Sequence, residues 1–115
     1  MRLTFRRRED VIVFVVEGDV IGPDGERLLN EFRNALRLSG GQGRFVLNLR
    51  RTNMMDSSAI GALVQVYTEA ARAPDRVRVA LTNPPDPLER LFELARIFDL
   101  FPRGLDEEDA IAHLA

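Results

Sequence analysis

The chain of 115 residues suits one domain, and its 45% apolar content supplies one ordinary core. A formal charge of -2 gives no overall footprint for nucleic acid, although all 16 basic residues are arginine. The lack of cysteine removes disulfides, thiolate nucleophiles and thiolate metal sites, and no cofactor or metal is expected. No apolar run reaches membrane-spanning length and no secretory leader is visible, so a cytoplasmic protein without direct membrane insertion is expected.

Leu3-Thr4-Phe5 and Val11–Val16 read as two strands across the charged turn Arg6–Asp10. The second is continuously apolar and β-branched, as in a strand covered on both faces. Gly18, Gly22, Pro23 and Gly25 interrupt regularity before a helix over about 24–38, with Leu28, Phe32, Ala35 and Leu36 on one face. Gly40-Gly41 closes it. A buried strand at Phe45–Leu49, a short loop and a helix from Ser57 to about Arg72 come next, then another strand at Val77–Leu81.

Asp86-Pro87-Leu88-Glu89 has the form of a helix start, with Asp86 as the cap, Pro87 at the first helical position and Glu89 three residues after the cap. Asp106 to Asp109 open a last helix that turns Ile111 and Leu114 inward, and the lone His113 is expected to be exposed. Strands alternating with helices after an opening hairpin predict an α/β domain. Its mixed central sheet carries about four packed helices.

The segment Asn53-Met54-Met55-Asp56-Ser57-Ser58-Ala59-Ile60-Gly61 carries the chemistry. It leads from a buried strand into a helix whose first turn bears two hydroxyls. A helix start has unpaired N–H groups and a partial positive charge, so an anion is held there at little cost. Asp56, Ser57 and Ser58 are each good caps, and the sequence leaves open which one serves. Asp56 has no paired base to make it catalytic, and no enzyme activity is expected. Met54 and Met55 read as apolar plugs in the loop. Gly61 reads as a close-packing position against a strand, with room for a partner as the other use. Arg50 and Arg51 are expected near the Ser57 turn.

Val46-Leu47-Asn48-Leu49 with Asp56-Ser57-Ser58-Ala59-Ile60-Gly61-Ala62-Leu63 resembles the signature of STAS domains, and among them the bacterial anti-sigma-factor antagonists. Gly18-Asp19-Val20, Leu88–Leu94, Ile97–Phe101 and 106–112 extend the resemblance, so residues 1–115 are expected to form one STAS domain. The resemblance implies a protein-interaction module. Unphosphorylated, it captures an anti-sigma serine kinase of the histidine-kinase-like ATPase type and frees the sigma factor. Phosphorylation of Ser57 ends the complex, and a Ser/Thr phosphatase restores it.

The partner-binding surface implied by the resemblance comprises Asp19, Ile21, Gly22, Met55, Asp56, Ser57, Ser58, Ala59, Gly61 and Ala62. Two positions depart from the family pattern. Ala59 replaces the usual glycine, with a methyl expected to crowd an approaching partner, and Ile21 replaces an aspartate. These departures leave a second function in view: a regulatory subunit of a stressosome-type complex or of a lipid-transport ABC system.

Overall fold

The computed structural model describes residues 1–114. Strand β1 (Arg2–Arg8) turns through Glu9 and Asp10 into β2 (Val11–Val20), and the two pair antiparallel. Glu9 takes the left-handed conformation that so tight a turn requires (φ 57°). Helix α1 (Asp24–Leu38) crosses over to β3 (Gly43–Met55), which pairs parallel with β2. Helix α2 (Ser57–Ala71) leads to β4 (Val77–Thr82), parallel to β3. Helix α3 (Asp86–Leu94), a short 3-10 turn and β5 (Arg103–Gly104) precede α4 (Glu107–Ala112). Among the described residues the sheet has five strands in the order β1-β2-β3-β4-β5, mixed in sense because only the opening hairpin is antiparallel.

Side-chain alternation along the strands divides the core into two layers. Phe14, Val16, Phe45 and Leu47 point toward α1, α2 and α3, where Leu28, Phe32, Leu63 and Phe92 meet them. Phe14, Phe32 and Phe45 pack with ring centroids 5.2–6.3 Å apart, and burying each ring contributes roughly 1.5–3 kcal/mol. Val11, Val13, Val46 and Ala80 point the other way, under Ala110 and Leu114. The apolar run Val11–Val16 is therefore covered on both faces, as its composition implies.

Three local expectations change. The stretch after Leu49, expected as a loop, continues β3 to Met55. Its alternation is hidden by the exposed Arg50, Arg51 and Asn53, and pairing with Gly18–Val20 holds it. Two hydroxyls sustain that extension: Thr52 Oγ1 donates to the Val16 carbonyl (2.8 Å), and Thr82 Oγ1 accepts from the Leu49 N–H (2.8 Å). Asp86 is already inside α3; the cap position falls to Pro85, without a side-chain hydrogen bond. The two-residue β5 is too short to leave a pattern, and only glycine fits at Gly104, where a Cβ would collide with the backbone of Ala110.

Candidate functional site

The parallel strands β2 and β3 end side by side, with Asp19 opposite Met54 and Val20 opposite Met55. The crevice beyond the carboxyl ends of such strands is where open α/β sheets place their ligands. Two connections leave this edge: the turn Ile21-Gly22-Pro23 into α1, and Asp56 into α2.

Asp56 holds these connections together. Its Oδ1 accepts from the Ala59 N–H (2.9 Å) and caps α2. Its Oδ2 accepts from the Gly22 N–H (2.8 Å), across the gap to the other turn. The Gly22 N–H first, then that of Ala59, hold the Asp56 carboxyl below its ordinary value of 3.8. Gly22 occupies the left-handed region (φ 58°), which an L side chain rarely adopts.

The cap alternatives are thereby resolved. Asp56 takes the role, and Ser57 becomes the first helical residue. Ser57 and Ser58 are exposed, and neither hydroxyl makes a hydrogen bond among the described residues. The Ser57 oxygen thus stands at the positive end of a 15-residue helix with no structural duty.

Of the residues expected to face a partner, Asp19, Ile21, Gly22, Ser57, Ser58 and Gly61 are exposed, and Asp56 is half-buried between the turns. Met55, Ala59 and Ala62 are buried, so their expected place on the surface is corrected. Ala59 faces α1: a Cβ on Gly25 would lie 2.9 Å from the Ser58 carbonyl oxygen and 3.0 Å from Ala59 Cα. Its methyl packs inside and does not crowd a visitor. Of the two uses open to Gly61, close packing against a strand is excluded, since nothing lies within 4 Å of where its Cβ would be.

Met54 is expected as a plug beside Met55, yet it is 56% exposed; it pairs with Asp19, two residues before Ile21, which is itself 44% exposed. Val64, one turn beyond Gly61, is exposed as well. The signal was present in the spacing Ser57, Gly61, Val64, Thr68, an outward stripe on a 3.6-residue repeat. Arg50 and Arg51 are engaged away from the serines: Arg50 donates to the Leu105 carbonyl, and Arg51 lies 3.9 Å from Glu17.

A mixed α/β sheet entered through a hairpin, with an exposed serine pair opening the helix after its longest strand, defines the class of this domain. The STAS domain model matches residues 2–110, and the chain belongs to that family. TM1081 of Thermotoga maritima is similar in structure, with a TM-score of 0.85 at 14% identity over 97% of this chain and 93% of that one. The anti-sigma factor antagonist SpoIIAA in its unphosphorylated form is similar with a TM-score of 0.71 at 21% identity, over 97% of this chain and 96% of that one. The phosphorylated form, from Bacillus, gives 0.70 at 19%, over 99% and 100%. An anti-sigma factor antagonist from Mycobacterium paratuberculosis gives 0.78 at 16%, over 98% and 92%. At these identities the likeness is one of fold.

Proposed function

We propose that this STAS domain is an anti-sigma-factor antagonist, switched by phosphorylation of Ser57. Unmodified, it binds an anti-sigma serine kinase of the histidine-kinase-like ATPase type and releases the sigma factor. A Ser/Thr phosphatase reverses the modification. The observation that carries the reading is the division of labour at the start of α2: Asp56 caps the helix, and the Ser57 hydroxyl is left exposed and unbonded. The likeness to a protein solved in unphosphorylated and phosphorylated forms supports it.

The switch follows from electrostatics. Phosphoserine adds about -1.5 to -2 charge at neutral pH, beside the carboxylate of Asp56. The helix end tolerates that charge, so the domain stays folded. A partner seated over Ile21, Met54 and Gly61 would have to bury the dianion without a counter-charge. Such burial costs several kcal/mol, on the order of a thousandfold in affinity. No rearrangement of the domain is needed.

The test mixes the full chain, ATP and the histidine-kinase-like ATPase from the same organism. Phosphate is expected on the Ser57 peptide. Ser57→Ala should stay unlabelled and bound, and Ser57→Asp should keep its circular dichroism and bind at least about tenfold more weakly. Undiminished binding by the Asp variant with no phosphopeptide would falsify the switch, as would purification in fixed stoichiometry with a stressosome-type or transporter complex in place of the kinase.

A further inference from the structure

A second surface lies at the other end of α1 from the serines. β1 is the terminal strand, so every second residue of it directs a backbone N–H and C=O to an edge that no strand covers among the described residues. The residues of β1 alternate between two environments. Leu3, Phe5 and Arg7 lie on the α1 side, where Phe5 stacks edge-on against Phe14 at 5.0 Å. Arg2, Thr4, Arg6 and Arg8 lie on the α4 side, where Arg6 and Arg8 reach Glu107 at 2.6 and 3.0 Å.

On the α1 side the edge opens into a groove of about 330 Å³ between β1 and the last turns of α1, lined by Phe5, Ile12, Ala35 and Leu38. Phe5 is 47% and Leu38 83% exposed, so two large apolar side chains stand in water beside the unpaired edge. On the α4 side the edge carries a row of guanidinium groups. Arg6 and Arg8 are half-exposed even while they hold Glu107, and Arg2 has no carboxylate partner among the described residues.

We infer that β1 and this groove form a strand-addition site for an extended segment of a partner protein that alternates apolar and acidic residues. Backbone pairing with the free edge supplies attraction, as in other β-augmentation complexes. Alternation sends the partner's apolar side chains into the groove and its carboxylates toward Arg2, Arg6 and Arg8. A second copy of this chain fits poorly. An antiparallel pair of β1 strands centred on Phe5 sets Arg2 of each copy against Arg8 of the other, and directly opposed like charges repel. The groove carries Glu31 and Asn34 on its α1 wall and Arg7 on its β1 wall, so its charges are of both signs and its selectivity inside rests on the apolar Phe5, Ile12, Ala35 and Leu38.

The test uses the full chain, isotopically labelled, titrated with a capped seven-residue peptide that alternates Glu with Val or Ile. Saturable amide shifts are expected at Leu3, Phe5, Arg7 and Leu38, with none at Ser57. Leu38→Glu and Arg2→Glu change exposed side chains, should fold normally, and should each weaken binding at least tenfold. A peptide with Lys in place of Glu, and one N-methylated on the alternate amides that would pair with β1, should fail to bind. Equal binding of the N-methylated peptide would reduce the effect to bulk charge and overturn the proposal. So would shifts that avoid β1, or concentration-dependent shifts at β1 without peptide, which would assign the edge to self-association.

Discussion

Asp56 bears more of the local geometry than the serine beside it, because one carboxylate satisfies backbone donors on two separate turns. Its lowered pKa sets the sign of a pH effect. A carboxyl that is more acidic folded than unfolded stabilises the fold fully above the unfolded value, near 3.8, and loses that contribution as pH falls through the lower folded value. Asp56→Asn should keep a capping oxygen but lose the titration. In denaturant unfolding the wild type should therefore exceed the variant at neutral pH, and the gap should close below about pH 3.8. A gap independent of pH would mean that the charge of Asp56 contributes nothing. The sequence displayed the Asp-Ser-Ser cluster plainly, because its residue types are all cap formers. It did not say which residue capped, since the Gly22 N–H that favours Asp56 comes from a turn 34 residues away.

At the scale of elements, the apolar runs of β2, β3 and β4 and the inward face of α1 were legible because burial on a sheet imposes a period; the inward face of α2, made of Ala59, Ala62, Leu63 and Val66, was not. What escaped was decided by neighbours. Arg50, Arg51 and Asn53 look like a loop until Gly18–Val20 pair alongside. Ala59 and Gly61 are two residues apart on α2; the sequence put Ala59 on the surface and left Gly61 between close packing and an open face. Ala59 faces inward because Gly25 brings α1 close to it, and Gly61 faces open space. That geometry makes Gly61→Ala informative. The new methyl meets nothing in the domain, and replacing a helix-interior glycine should raise stability by about 0.5–1 kcal/mol, read as a higher denaturant midpoint. If the outward stripe of α2 is the kinase-binding face, the same variant should bind the kinase more weakly despite its stabler fold. Stability and affinity rising together would move the interface elsewhere.

Across the whole molecule, α4 and the sheet are joined by a polar contact as well as by Ala110 and Leu114. Glu107 is almost buried. Its Oε1 accepts from Arg6 (2.6 Å) and from the Asn48 amide (3.0 Å), and its Oε2 accepts from Arg8 (3.0 Å). One carboxylate therefore ties the first strand, the long central strand and the last helix. Neither the Arg6-Arg7-Arg8 cluster nor the acidic start of α4 announced this, because the two lie at opposite ends of the chain and each alone resembles a solvated charge run. Glu107→Ala should leave the Asn48 amide without its acceptor and return two arginines to water. The arginines are about half exposed and recover much of their hydration, so the cost falls near that of one or two charged hydrogen bonds, roughly 1–3 kcal/mol. For a domain of this size that is a fall in Tm of roughly 4–12 °C, smaller in high salt because the exposed guanidinium groups are screened. Amide exchange should quicken in β1 and α4 and hardly at all in α1 and α2, since those helices pack on the other face of the sheet. Phosphorylation at Ser57, tested below the variant's melting range, should proceed at the wild-type rate. Parallel loss of protection on both faces would show that the two layers unfold as one, and that Glu107 supports the serine site as well as α4.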